Sequence, residues 1–395
     1  MYIRQLHLYN YRNYDRLTLA PHPGVNLFFG QNGAGKTNLL EAVHYCAVGR
    51  SHRTPYDREA VRRGEESAFC GVTVCRAGAE AEIAVRLMPG EGRKKQVFID
   101  RKRAPRLSAL MGQLRVVCFS PEDLSLVREG PAGRRRYLDM MISQMNPAYF
   151  MALQTYQEAL AQRRFILKEC RRQGRTEVPD DLTAVYEEQM ARSCAVILPE
   201  RRKMAEALTP VAAEKYLGIS GREGEKFGVR YAACLEEGVE IVPEALRRLK
   251  ENRPEDMARG ETAFGPHRED LALTLYGKEM RLYASQGQIR TAALALKLAQ
   301  FACTERLTGE KPVLLLDDVM SELDLGRRQS LLKEISGAQT FVTCTDESDL
   351  AGCEDLRAYR VTLTENLLAC VTETRAGDAA EEEEGGNVLE EPVFE

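Results

Sequence analysis

An α/β fold split by a helical insertion is predicted by three observations. A short apolar run at 25–29 feeds through GQNGAGKT (residues 30–37) into an apolar helix, and a second run at 312–316 ends in Asp317 and Asp318. Between them, from 134 to about 208, apolar residues recur at three- and four-residue intervals with no strand pattern. Lys36 and Asp317 lie 281 positions apart, so two α/β segments must reunite in space around the helices.

The elements follow in order. Residues 1–8 alternate as a strand, with Ile3, Leu6 and Leu8 on one face, and 17–19 continue a hairpin. Strand 25–29 stops at Gly30, and the helix starts by Asn38. Further strands are expected at 68–75, 81–87, 96–99 and 114–119. Helices are expected at 134–142, 147–172 and 181–207, with another at 243–251 and an alternating segment at 227–232. The last third returns to α/β: a hairpin at 271–275 and 278–282, a helix at 289–307, the strand before Asp317, a helix at 325–335 and a strand at 339–344. The expected division is 1–120 and 265–370 for the α/β head, 121–264 for the helical arm, and 371–395 for a disordered acidic tail.

Composition narrows the class. A 395-residue chain with 44% apolar residues buries a substantial core. No run reaches the length of a membrane span, and the start lacks an apolar signal core, so a cytoplasmic protein with no membrane partner is expected. The 11 cysteines form no CxxC pair, which argues against a zinc knuckle or disulfide lattice. The net charge of -4 conceals a division: residues 373–395 hold nine acids and one base, leaving 54 bases against 50 acids in 1–372. That mildly basic body is compatible with DNA.

Residues 30–37 match GxxxxGKS/T at every specified position. Gly30, Gly33 and Gly35, with Gln31, Asn32 and Ala34, let backbone amides wrap a triphosphate at a helix start. Lys36 neutralises β/γ oxygens, and the Thr37 hydroxyl suits Mg²⁺. Asp317, the first acid after a buried strand, is the second metal candidate. Asp318 is placed to orient or deprotonate the attacking water, so ATP and Mg²⁺ are the expected cofactors. ASQGQIRT at 284–291 precedes a long helix; Ser285, Gly287 and Gln288 resemble the signature of ATP-binding-cassette proteins, or serve as an N-cap and turn. Asp324 stands where such a protein's dimer interface begins. Thr343 and Thr345 occupy the place of a γ-phosphate sensor that is often histidine. Ser120 and Glu122 stand where a glutamine-containing coupling loop would be, although FSPEDLS has no glutamine.

Taken in order, MYIRQLHLYNYRNY, GQNGAGKTNLLEAV, FSPEDLSLV, RRRYLD, GPHREDL, SQGQIRT and LLLDDVMSELD resemble the RecF family, in the SMC-like branch of ATP-binding-cassette (ABC) ATPases. The resemblance covers about residues 1–370; the acidic extension lies outside it. It implies a phosphate-loop (P-loop) ABC/SMC-like ATPase head with a compact arm and no long coiled coil. It further implies ATP-dependent binding of double-stranded DNA and of gap junctions, an ATP-dependent homodimer, and cooperation with RecR and RecO in loading RecA. Recombinational repair, replication support and the SOS response are the implied processes, with a slow DNA-stimulated ATPase acting as a switch.

From the residues themselves, Arg101, Lys102, Arg103 and Arg106 form one candidate set for backbone phosphates. Arg134, Arg135 and Arg136 form another, or else pair within the arm. A transporter subunit is disfavoured by the long interval between loop and signature, and an architectural SMC by the missing heptads. A kinase with a small-molecule acceptor and a non-catalytic ATP-gated DNA scaffold are the remaining alternatives.

Overall fold

The computed structural model describes residues 1–90, 95–323, 325–347 and 355–374. Asp324 and the acidic segment 375–395 therefore lie outside the described residues. Two compact units emerge: Met1–Pro121 with the chain from Thr304 onward, and Glu122–Cys303.

The first unit opens with β1 (Tyr2–Tyr11), β2 (Tyr14–Leu19) and β3 (Val25–Phe29), then helix α1 (Lys36–Val48). Strands β4 (Ala68–Arg76), β5 (Ala79–Leu87), β6 (Lys95–Ile99), β7 (Lys102–Ala104) and β8 (Val116–Phe119) follow. Alternation in β1 buries Ile3, Leu6 and Leu8, and the antiparallel sheet runs β2-β1-β4-β5-β6-β7.

The second unit contains α2 (Ser125–Arg128), α3 (Pro131–Ser143), α4 (Pro147–Arg172), α5 (Asp180–Ser220), β9 (Phe227–Ala232), α6 (Ile241–Glu251) and α7 (Arg253–Arg259). It continues through β10 (Asp270–Leu275), β11 (Lys278–Glu279) and α8 (Met280–Tyr283), and α9 (Gln286–Thr308) leads the chain out. Helix α5 runs past the expected end at 207 and through Pro210. Its apolar stripe continues in Leu208, Ala212 and Tyr216, all buried, and that packing outweighs a proline cost of about 3 kcal/mol. The expected strand at 278–282 is only Lys278–Glu279, because Met280–Tyr283 turns helical.

The second domain boundary also differs from expectation. Residues 265–303 belong to the same compact unit as the helices, so that unit closes at Cys303 and not at 264. The reason is pairing: β10 joins β9 over six residues, and Ile289, Ala292 and Leu296 enter the core around Leu138, Ile197 and Leu208.

Buried ion pairs hold this unit. Arg201 reaches Asp139, Glu269 and the carbonyl of Pro266, the last two at 2.7 Å. Fully buried Arg163 bonds Glu187, Asp256, Thr262 and the carbonyl of Leu249. RRRYLD and GPHREDL thus supply partners to arginines elsewhere in the chain.

Back in the first unit come β12 (Val313–Asp317), α10 (Leu325–Glu334), β13 (Thr340–Cys344), β14 (Leu356–Leu363) and β15 (Ala369–Thr374). The sheet order is β15-β14-β3-β13-β12-β8, parallel except for β15. Strands β12 and β13 are buried throughout, as expected where a parallel sheet is covered on both faces. Among the described residues, no helix is long and apolar enough to cross a membrane.

Candidate nucleotide site

Functional groups in open α/β sheets gather at the carboxyl ends of the strands. Here β13 lies between β3 and β12, with Thr343 in register with Phe28 on one side and Asp317 on the other. The loop after β3 therefore emerges beside the acid ending β12.

Glycine is required twice in that loop. Gly30 has φ 143°, and a Cβ there would lie 2.2 Å from the Val361 carbonyl oxygen. Gly35 caps α1 at φ 119°, with the Asn13 side chain 2.9 Å from any added Cβ. Asn13 braces the loop by donating to the Ala34 carbonyl (3.0 Å) and accepting from Asn38 (2.9 Å); Tyr14 donates to the Gly35 carbonyl. These braces come from the β1–β2 turn and carry no signal in the loop motif. Beneath the loop, burial raises the Glu41 carboxyl, but hydrogen bonds from Arg12 and Ser51 outweigh it and hold the group below the usual glutamate range.

Lys36 is buried, and its ammonium donates to the carbonyls of Gly30 (2.6 Å) and Gln31 (2.9 Å). Burial pulls it below the ordinary lysine value, partly offset by Asp318 and Asp317. Gln31, Asn32 and Gly33 are exposed at the loop's tip. Oδ1 of buried Asp317 accepts two hydroxyls, from Thr37 at 2.7 Å and from Thr343 at 2.8 Å. The Asp318 amide donates in turn to the Thr343 hydroxyl at 2.9 Å. Thr343, read from sequence as a phosphate sensor, is thus a buried link between the two acids, whereas Thr345 is exposed. Asp318 is exposed and left-handed (φ 53°), and Ser321 donates to its carbonyl and carboxylate.

In the second unit, Ser285 and Gln288 form a reciprocal capping box at the start of α9. The Ser285 amide donates to Gln288 Oε1 (2.9 Å), and the Gln288 amide donates to Ser285 Oγ (3.3 Å). Ser285, Gln286 and Gly287 are exposed, and a Cβ at Gly287 would meet nothing within 4 Å.

The candidate DNA residues separate by burial. Arg101 is exposed but forks onto Glu82 at 2.8 and 2.9 Å; Lys102, Arg103 and Arg106 are exposed. Arg134 departs from the DNA set and follows the alternative, pairing within the arm. It is buried and makes four hydrogen bonds, two to Asp270 and one each to the carbonyls of Leu126 and Glu129. Freeing it for DNA would leave the half-buried Asp270 carboxylate without its cation, so it belongs to the arm's framework. Arg135 is half-buried on the Glu269 carbonyl, and Arg136 is exposed.

Comparison with known proteins places this geometry. The model of the RecF/RecN/SMC N terminal domain matches residues 2–368. The DNA replication and repair protein RecF of Clostridium novyi is 38% identical over 359 residues, 91% of this chain and 95% of that protein. Its counterpart in Symbiobacterium thermophilum is 40% identical over 370 residues, 91% of this chain and 96% of its own. A solved structure of the recombination mediator protein RecF with ATP in the RecFOR pathway has a TM-score of 0.84 at 34% identity, covering 95% of this chain and 98% of that one. An SMC head bound to the C-winged helix domain of ScpA shares the fold alone, with a TM-score of 0.55 at 15% identity. The chain therefore belongs to the RecF family of DNA replication and repair proteins and has their ABC/SMC-like ATPase fold.

Proposed function

We propose that this chain is a cytoplasmic, ATP-dependent recombination mediator whose heads dimerise on ATP and clamp duplex DNA beside single-stranded gaps. The observation that carries the reading is the convergence of Lys36, Thr37 and Asp317 at one strand end: an ammonium, a hydroxyl and a carboxylate suited to a magnesium triphosphate. Thr37 and Asp317 would hold Mg²⁺, which supplies charge neutralisation for the terminal phosphates. The amides of residues 31–35 and the start of α1 bind and orient the phosphates. Asp318 positions the attacking water, and hydrolysis resets DNA binding.

Dimerisation is supported by Gly287. Glycine is a poor helix former, and among the described residues no neighbour requires a missing side chain there. A partner's γ-phosphate, received by Ser285, Gly287 and Gln288, accounts for that glycine. Asp324 follows the acids in sequence and is assigned to the same interface. The RecFOR pathway of the matched structures and the family resemblance support RecR and RecO as partners and RecA loading as the outcome.

Light scattering with and without ATP and duplex DNA tests the reading. Wild type dimerises on ATP, whereas Lys36→Met and Ser285→Arg stay monomeric. Monomers throughout, with ATP-independent DNA binding, reject it.

A further inference from the structure

The capping box at the start of α9 is anchored to a carboxylate from another part of the second unit. Gln288 uses both ends of its side-chain amide: Oε1 accepts from the Ser285 amide at 2.9 Å, and Nε2 donates to Oε1 of Glu225 at 3.0 Å. Glu225 stands 63 positions earlier, in the connection between α5 and β9. It is buried, and its Oε2 accepts from the Tyr216 hydroxyl at 2.8 Å, while exposed Arg222 reaches Oε1 at 3.2 Å. Tyr216 is fully buried and stacks on Phe227, the first residue of β9, with 4.8 Å between ring centroids. The carboxylate is therefore held by the framework of α5 and β9. Burial pushes Glu225 upward, but hydrogen bonds from Gln288, Tyr216 and Arg222 outweigh it and hold the group below the usual glutamate range.

An ionised carboxylate only accepts hydrogen bonds, so Glu225 dictates which end of the Gln288 amide faces it. With Nε2 toward Glu225, Oε1 faces the Ser285 amide and the box closes. Flipped by half a turn, the side chain would set oxygen against carboxylate and NH2 against N–H, and both bonds would go. The box in turn aims Ser285. Its Oγ accepts from the Gln288 backbone amide at 3.3 Å, which leaves the hydroxyl proton to donate outward. A glutamate at 288 would cap the helix without a helper, but it would set a negative charge where a phosphate has to come. Glutamine avoids that charge, and its amide then needs orienting.

We propose that Glu225 is a positioning residue for ATP-driven dimerisation: it orients the Gln288 amide, which sets Ser285 to receive the γ-phosphate of a partner subunit's ATP. The assignment rests on the ATP dimer proposed above; Glu225 acts through Gln288 and touches no nucleotide itself. Because a symmetric dimer contains two such boxes, a small loss at each is multiplied in the dimer.

The test titrates ATP against the full chain by light scattering, with thermal melting and binding of a fluorescent ATP analogue read alongside. Tyr216→Phe removes one bond to the same carboxylate and leaves Gln288 anchored. It should dimerise at the wild-type ATP concentration, whatever it loses in melting temperature. Adding Glu225→Leu to Tyr216→Phe replaces both buried partners with apolar groups, which spares the fold while removing the anchor. Relative to Tyr216→Phe, each box should weaken about threefold and the dimer about tenfold, with analogue binding unchanged. Hydrogen exchange over residues 285–289, read without nucleotide, should quicken about threefold in that double variant. Glu225→Gln keeps an acceptor and should stay within about twofold of wild type. A double variant that matches Tyr216→Phe in dimerisation and exchange overturns the role of Glu225. So does an equal loss in Tyr216→Phe alone, which assigns the effect to the stability of the connection, or a glutamine as damaging as leucine. A wild type that stays monomeric on ATP, or a Ser285→Arg protein that still dimerises, overturns the dimer itself.

Discussion

The hydroxyl of Thr37 and the carboxylate of Asp317 meet at 2.7 Å across 280 positions of sequence, and a third residue fixes that meeting. Thr343 donates to the same Asp317 oxygen and accepts from the Asp318 amide, so one buried hydroxyl sets both acids. Thr343→Val keeps the shape and removes the link, taking the acceptor from the partly buried Asp318 amide and one donor from Asp317, at a cost of about 1–3 kcal/mol. If that cost falls on the aligned transition state, ATP turnover drops about tenfold to a hundredfold. Binding of a fluorescent ATP analogue stays within about threefold, because Lys36 and Thr37 remain in place. Equal losses of binding and turnover would assign Thr343 to the fold alone.

Asp318 separates hydrolysis from switching. Its left-handed backbone is one that asparagine also tolerates, so Asp318→Asn removes the charge without new strain. The expected protein still dimerises on ATP by light scattering but hydrolyses it at least about a hundredfold more slowly, the scale of loss for a positioned acid–base group. Its DNA complex then persists after excess unlabelled duplex is added. Unchanged phosphate release in this variant would remove Asp318 from the water-positioning role, whereas no release from the wild type would mark the chain as a scaffold gated by binding alone.

Legibility in the sequence followed the range of the interactions. The loop, α1 and the acids ending β12 rest on local patterns, and the structure has them where those patterns lie. The link through Thr343 depends on the register between β12 and β13, which no local pattern encodes. Arg134 and Arg136 are indistinguishable as letters, yet one is buried on Asp270 and the other exposed; only packing against β10 separates them. Strands β14 and β15 escaped notice because they alternate with charged residues near the sheet's edge. The end of α5 lies beyond the expected 207 because Leu208, Ala212 and Tyr216 gain their burial from tertiary packing, which carries the helix through Pro210.

Arg201 is the arm's most consequential single side chain. It is buried between Asp139 and Glu269, and Arg201→Met leaves both carboxylates without their cation. Breaking a buried pair from one side costs about 3–5 kcal/mol. Urea melts should show the midpoint of the second unit falling while ATP-analogue binding by the first persists. Adding Glu269→Gln to Arg201→Met should recover part of the loss.

His267 gives the same unit a pH dependence. Burial pushes it from 6.5 to about 4, and it accepts from the Tyr156 hydroxyl (2.7 Å) while donating to the Thr262 carbonyl (2.9 Å). The unfolded chain takes up a proton near pH 6.5, whereas the folded chain resists until about pH 4, so stability falls as pH drops through that window. The ceiling is about 3 kcal/mol at 1.36 kcal/mol per unit, reduced by solvent at this half-buried ring. His267→Gln should flatten that slope between pH 6.5 and 4 in urea titrations.

Burial also sorts the arginines assigned to DNA. Arg103 and Arg106 are exposed, so replacing either with alanine should weaken duplex binding evenly across sequences. Each lost phosphate contact lowers the slope of log K against log salt by about 0.9. Arg134→Ala should behave differently. It removes four internal hydrogen bonds and leaves the half-buried Asp270 without its cation, so the arm loses stability by up to about 3 kcal/mol, the low end for a broken buried pair because solvent reaches the carboxylate. Whatever DNA affinity that folded variant retains should keep the wild-type salt slope, since no phosphate contact has gone. Fluorescence anisotropy across a salt series distinguishes the two behaviours; a reduced slope in Arg134→Ala would return that residue to the DNA surface.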